Sequence, residues 1–194
     1  MKTKIFCLEG EWHSKDLRDQ STVETYLRFL KETFGIDYLF RKVNTRESLF
    51  KYLELLGRYS KKQYKDYSII YLAFHGDHRE IFLDDVESVE IDELLDIKFN
   101  PLQNRIVHFG SCRTLKLNFR DLEYFWTKSK TKAVSGFTKN VDFLEASIFD
   151  IAYLYKLSTL DQKGKVYNHI KTKYERHSKD LGFVYIDNYN PKSE

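Results

Sequence analysis

Short apolar runs alternate along the chain with longer segments in which apolar residues recur at helical spacing. Two runs, 68–74 and 105–109, are almost wholly apolar. Runs so short and so apolar are typical of strands buried on both faces of a parallel sheet that helices cover. The same kind of signal predicts four further strands, at 4–8, 38–43, 132–137 and, as an edge strand, 183–186.

Amphipathic segments between these runs predict the helices. The first begins at the capping-box spacing Ser21–Glu24 and ends at Gly35. The stretch after His75, which includes the acidic run 84–90, is expected to be irregular and partly extended. Further helices are predicted at 44–57, 92–96, 117–126, 142–155 and 161–177. Strands that alternate with helices indicate one α/β domain over residues 1–194, with a mostly parallel central sheet and helices on both faces.

Composition narrows the class of protein. Lys and Arg number 32 against 29 Asp and Glu, a net charge of +3, which gives no reason to expect a nucleic-acid partner. No segment approaches the roughly 20 apolar residues of a membrane span, and the N-terminal residues do not form a secretory signal. Two cysteines, Cys7 and Cys112, argue against a disulfide framework and favour a reducing cytoplasm.

Each of the two apolar runs ends at a residue capable of chemistry. The first is followed by His75 and Gly76, and the second by Gly110, Ser111 and Cys112. Because neighbouring parallel strands release the chain at one edge, the imidazole and the thiol are expected to lie side by side. His75 would accept the proton of Cys112, whose thiol is mostly protonated at neutral pH, and return it to a leaving amine. The amides of Gly76 and Cys112 are the predicted oxyanion hole.

This pattern of apolar strand, His-Gly, second apolar strand and small-small-Cys resembles the caspase-like cysteine peptidases, and is most similar to the compact bacterial CHAT type. Gly-Ser-Cys-Arg-Thr stands where caspases have Gln-Ala-Cys-Arg-Gly. The resemblance covers most of the chain. It implies a three-layer fold with core strand order 2-1-3-4, a His75–Cys112 dyad, no cofactor, and a protein substrate. It also implies service in bacterial defence or regulated cell death, with an activating partner protein.

Specificity residues follow from the same resemblance. The segment that begins at Gly136 and Phe137 and runs to Asp142 resembles the wall of the specificity pocket. Glu9 and Glu11 end the first strand, where caspases place an arginine that holds an acidic P1 side chain. Together with Asp142 and Asp77, these acids predict a preference for a basic P1 residue, although they are equally well explained as solvated loop acids.

Two other interpretations stay open at this point. The chain could be a non-catalytic module of flavodoxin-like shape that binds a partner or ligand, in which case Cys112 is a small core residue. A metal site at His75, His78, Asp84 and Asp85 lacks the spacing of a known motif, and no metal is predicted. His108 and Cys7 lie within strands and are expected to be core residues, His108 with a hydrogen-bond partner.

Overall fold

The predicted strands lie side by side in one sheet. The computed structural model describes residues 3–13, 16, 18, 21–160 and 164–188. The strands are β1 (Ile5–Glu9), β2 (Tyr38–Lys42), β3 (Ile69–Ala73), β4 (His75–Asp77), β5 (Glu80–Phe82), β6 (Ser88–Glu90), β7 (Ile106–Phe109), β8 (Ala133–Phe137) and β9 (Phe183–Asp187). The helices are α1 (Glu24–Phe34), α2 (Arg46–Arg58), α3 (Phe119–Ser129), α4 (Phe143–Thr159), α5 (Gly164–Lys173) and α6 (Glu175–Leu181), with a 3-10 helix at Ile91–Asp96.

Within the described residues the main sheet has six strands in the order β2-β1-β3-β7-β8-β9. All neighbours are parallel except β8 and β9, which are antiparallel. Since β7 is the fourth strand predicted from the sequence, the expected core order 2-1-3-4 is confirmed, as is the mostly parallel character of the sheet.

Helices cover both faces of this sheet. In β3 the side chains alternate between the two cores, Ile70 and Leu72 facing one and Ile69 and Tyr71 the other. The first core also contains apolar residues of α2 and α3, and the second contains those of α1, α4, α5 and α6. Cys7 is fully buried in the second core, as predicted.

Three details differ from the sequence expectations. The stretch after His75 is a small antiparallel sheet, β4-β5-β6, whose Ile81 and Val89 complete the first core. The helix α1 begins two positions later than the predicted capping box at Ser21–Glu24 implies, with Val23 as the N-cap, and this aliphatic side chain provides no acceptor. The Glu24 amide donates to Oγ1 of Thr22 at 3.1 Å, and the Val23 amide donates to the carboxylate of Glu9 at 2.6 Å.

The predicted C-terminal helix is two helices in the structure. The chain leaves helical geometry at Tyr174, between α5 and α6, where φ is −121° and ψ is 32°. The start predicted for this helix, at 161, lies outside the described residues.

Candidate active site

His75 and Cys112 lie at the same edge of the sheet. Strands β3 and β7 are parallel neighbours in which Leu72 pairs with Phe109, and the amide of Gly110 donates to the oxygen of Leu72 at 2.9 Å. The chain therefore leaves both strands at one level, with His75 three positions beyond Leu72 and Cys112 three positions beyond Phe109.

Gly76 lies directly against the loop that carries Cys112. A β-carbon at position 76 would stand 2.2 Å from Oγ1 of Thr114 and 3.1 Å from the main-chain oxygen of Cys112. The first of these distances is a severe clash, so only glycine allows the two segments to approach so closely.

The imidazole of His75 is exposed, but one neighbour holds it in place. Its Nε2 lies 2.6 Å from the main-chain oxygen of Trp12. A carbonyl oxygen only accepts, so Nε2 carries the proton, and the Nδ1 of the neutral ring is left as the acceptor. The indole ring of Trp12 also packs edge-on against the imidazole, with ring centroids 5.1 Å apart. Trp12 thus fixes both the position and the tautomer of the proposed base.

Cys112 contacts the segment that follows β8. The amide of Val141 donates to the Cys112 sulfur at 3.3 Å, and the thiol lies 3.6 Å from the Val141 oxygen. Among the hydrogen bonds of the described residues, none joins Cys112 directly to His75. Catalytic hydrogen bonds are often long or poorly aligned before substrate binds, so a substrate carbonyl between the two groups is compatible with this arrangement.

Aromatic contacts connect the surroundings of the two residues. Phe143, two positions after Val141, packs edge-on against Trp12 at 5.2 Å between centroids, and is 43% exposed. His75 contacts Trp12, Trp12 contacts Phe143, and the segment just before Phe143 contacts Cys112. The proposed reacting groups therefore border a common, partly apolar surface.

Glu9, predicted as a substrate-binding residue, is completely buried. Its carboxylate accepts hydrogen bonds from Nε1 of Trp12 at 2.7 Å, from the amide of Val23 at 2.6 Å and from Oγ1 of Thr22 at 2.8 Å. Nζ of Lys42 lies 3.0 Å away. Four donors occupy the carboxylate, which accounts for its burial and leaves it turned toward the start of α1.

The other predicted acids lie nearer the surface. Glu11 is exposed and lies two positions beyond the end of β1. Asp77 is paired with Nε of Arg113 at 3.1 Å and accepts from the amide of His78. Asp142 is exposed and caps α4, its Oδ1 accepting from the amides of Leu144 and Glu145.

Gly136 and Phe137 are buried within β8. A β-carbon at Gly136 would stand 2.8 Å from the oxygen of Phe109 on the neighbouring strand. The ring of Phe137 packs against His108, Phe149 and Phe183. Both residues thus build the core beside the site, and their side chains are not at the surface.

A cavity of about 700 Å³ opens beside Val141. It lies between the segment 140–145 and residues 173–181, and the sequence pattern gave no sign of it. Asp142 and Glu145 border it on one side, and Lys173, Arg176 and Asp180 on the other. Because the Val141 amide donates to Cys112, this cavity begins next to the proposed nucleophile.

Beneath the site is a buried polar network. Nε2 of His108 lies 2.9 Å from Oδ1 of Asp150, and its Nδ1 lies 3.1 Å from Oγ of Ser135. Tyr71 donates to Oδ2 of Asp150 at 2.7 Å and stacks on the His108 ring. Burial, with the Asp150 charge as the next contribution, raises the pKa of Tyr71 well above its usual range. The prediction that His108 is a partnered core residue is confirmed, and the network ties β3, β7 and β8 to α4.

The described residues contain no group of three or more His, Cys, Asp or Glu side chains placed to hold a metal ion. Asp84 instead accepts from the amides of Val86 and Glu87. No helix within the described part of the chain has the length and apolar character needed to cross a membrane.

Comparison with known proteins supports the fold. The structure is similar to the crystal structure of the Drosophila initiator caspase Dronc, with a TM-score of 0.54 and 8% sequence identity. The match covers 97% of this chain and 82% of that one. At this identity the likeness shows the caspase-like three-layer fold. No curated protein sequence matches the chain. A family model described as "Family of unknown function (DUF6642)" matches residues 2–186, and the chain belongs to that family.

Proposed function

We propose that this chain is a cysteine endopeptidase that uses Cys112 as nucleophile and His75 as general acid and base. The observation that carries the proposal is the register of β3 and β7, which brings both residues to one edge of a caspase-like sheet, with Gly76 against the Cys112 backbone. The hydrogen bond from Nε2 of His75 to Trp12 leaves Nδ1 available as the proton acceptor.

The proposed reaction proceeds through an acyl-enzyme. Nδ1 of His75 takes the thiol proton, the Cys112 sulfur bonds to the scissile carbonyl carbon, and the amides of Gly76 and Cys112 stabilise the oxyanion. The C–N bond then breaks as His75 gives its proton to the leaving amine. Water, activated by the same imidazole, hydrolyses the thioester and restores the thiol.

We further propose that the cavity beside Val141 receives a basic P1 side chain. Asp142 and Glu145 border it on the side of Val141, whose amide donates to Cys112, and Glu11 is exposed at the same edge of the sheet. Glu145 is paired with Nε2 of His177 at 2.9 Å, so a basic P1 side chain would replace that imidazole as its partner. Glu9 is not part of this proposed pocket, because its carboxylate is buried and already accepts hydrogen bonds from Trp12 and Val23.

The resemblance to the bacterial CHAT type adds finer proposals. They are a protein substrate, an activating partner protein, a role in defence or regulated cell death, and a reducing cytoplasm in which the free thiol of Cys112 persists.

A library of fluorogenic peptides with every residue at P1 tests the activity and its specificity. We expect cleavage after Lys or Arg, abolished in Cys112→Ala and in His75→Ala, with a Cys112 acyl adduct detected by mass spectrometry. The variant Glu145→Gln should raise KM for basic peptides, whereas Glu123→Gln, on the exposed surface of α3, should not change it. Preferential cleavage after Asp or apolar residues would contradict the basic pocket and leave the peptidase intact.

One observation favours the alternative of a non-catalytic binding module. The Cys112 sulfur is engaged by the main chain of Val141 and is not hydrogen-bonded to His75 within the described structure. If neither the library nor a candidate partner protein is cleaved, and Cys112 reacts with alkylating agents at the rate of an ordinary thiol, the module is the better description.

A further inference from the structure

Trp12 is the residue through which the position of His75 is set. Its main-chain oxygen accepts from Nε2 of the imidazole at 2.6 Å, and its indole packs against the same ring. His75 is itself exposed, so without these contacts its ring would sample other rotamers. Trp12 itself lies three positions beyond Glu9, the last residue of β1.

Glu9 holds it. Side chains alternate along β1, so that Cys7 and Glu9 face α1 while Phe6 and Leu8 face the other core. Oε1 of Glu9 accepts the indole N–H at 2.7 Å, and the Val23 amide at 2.6 Å fixes that oxygen at the start of α1. Oε2 is fixed independently by Thr22 and Lys42. A buried carboxylate with four donors is a rigid anchor, since any rotation leaves donors unpaired.

We propose that Glu9 is a positioning residue for His75 that acts through Trp12. The buried carboxylate fixes the indole, the fixed residue presents its main-chain oxygen to Nε2, and Nδ1 is thereby aimed toward Cys112 as the base. The inference rests on the proposed function for its catalytic meaning, but its structural part is measurable without any substrate.

Two anchor variants remove the hydrogen bond between Glu9 and Trp12, and a third variant removes a different hydrogen bond to the same carboxylate. Trp12→Phe removes the indole N–H and keeps the aromatic ring and the main-chain oxygen. Glu9→Met keeps the length of the side chain and removes both acceptor oxygens. Thr22→Val is the matched control, because it removes the 2.8 Å hydrogen bond to Oε2 and leaves Oε1 with the Trp12 indole and the Val23 amide, and Oε2 with Lys42. It also removes the acceptor of the Glu24 amide at the start of α1, so its stability is measured alongside.

The first readout is the nitrogen-bound proton of His75 in NMR spectra of ¹⁵N-histidine protein. A hydrogen-bonded Nε2–H exchanges slowly with water and gives a resolved signal. We expect this signal in the parent and in Thr22→Val, and its loss or strong broadening in Trp12→Phe and Glu9→Met. Retention of the signal in both anchor variants would overturn the proposal.

The second readout is peptide hydrolysis. We expect kcat to fall roughly tenfold or more in both anchor variants, within the roughly 10²–10⁴-fold that acid-base catalysis contributes, while KM changes little. Thr22→Val should keep kcat close to the parent value after correction for unfolded protein. Equal loss of stability in all three variants with unchanged kcat would mean that Glu9 is only structural.

The two readouts separate failure of this inference from failure of the proposed function. If the parent cleaves no peptide but the NMR signal behaves as expected, Glu9 positions His75 and the peptidase proposal falls. If the parent cleaves peptides and the signal and kcat are unaffected by both anchor variants, the peptidase stands and the positioning role falls.

Discussion

The backbone of Gly76 and the main-chain oxygen of Cys112 are in such close contact that a β-carbon at position 76 would lie 3.1 Å from that oxygen. This contact joins the segment that carries the imidazole to the segment that carries the thiol. The relative placement of the two groups therefore depends on the absence of a side chain at position 76.

Gly76→Ala should destabilise the fold and misplace Cys112. The new methyl group meets Oγ1 of Thr114 at 2.2 Å and the Glu80 oxygen at 2.8 Å, and overpacking of this kind costs about 1–3 kcal/mol. Urea unfolding measures the loss. Thr114→Ala should relieve part of it in the double variant, giving a coupling energy in the double-mutant cycle. Strictly additive effects would contradict the contact.

Replacement of Cys112 should remove activity at little cost in stability. Cys112 is only partly buried, and its sulfur accepts from the amide of Val141 at 3.3 Å and lies 3.6 Å from the oxygen of the same residue. Cys112→Ala is therefore expected to lower the free energy of unfolding by no more than about 1 kcal/mol. Cys112→Ser, which keeps an acceptor for the Val141 amide, should lose less. A loss of about 2–5 kcal/mol, as for a large core truncation, would identify Cys112 as a core residue instead.

The two cysteines should differ in reactivity toward iodoacetamide in the native protein. Cys7 is fully buried, and burial followed by the nearby Glu9 charge raises the pKa of its thiol well above the usual range. Cys112 is partly exposed. Mass spectrometry of the alkylated protein at neutral pH should show modification of Cys112 alone, with both cysteines modified after denaturation.

His75→Ala is the companion variant in this experiment. If the imidazole assists thiolate formation, alkylation of Cys112 should be slower in His75→Ala than in the parent, while Cys7 stays unmodified. An unchanged rate for Cys112 would argue that the two groups do not communicate in the free protein.

The buried pair of His108 and Asp150 should be costly to break. Both side chains are essentially inaccessible, and Tyr71 depends on the same carboxylate. Asp150→Ala removes a buried acceptor from both Tyr71 and His108. A buried group left without its hydrogen-bond partner costs about 1–3 kcal/mol, so this variant should unfold at clearly lower urea concentration. Glu123→Ala, an exposed carboxylate on α3, is the control and should stay within about 0.5 kcal/mol of the parent. A small effect of Asp150→Ala would mean that the network contributes little to the fold.

The sheet and its candidate residues follow from the sequence by itself. Nearly continuous apolar runs are stable only as strands covered on both faces, and parallel strands release the chain at one edge. For this reason the placement of His75 and Cys112 at that edge was predictable from residues 68–77 and 105–112. The core strand order was predicted from the resemblance to the caspase-like peptidases and not from these segments.

Only the tertiary structure decided which groups surround His75 and Cys112. Glu9 looks like a pocket acid in the sequence, but Trp12, Val23 and Lys42 converge on its carboxylate when α1 and β2 pack around the end of β1. The oxygen that orients His75 belongs to the main chain, which leaves no side-chain pattern to recognise. The cavity beside Val141 exists because α6 packs near the start of α4. The periodicity of apolar residues indicates which face of a helix or strand is buried. The contacts around Glu9, His75 and the cavity form between segments far apart in the sequence, so no local pattern predicts them.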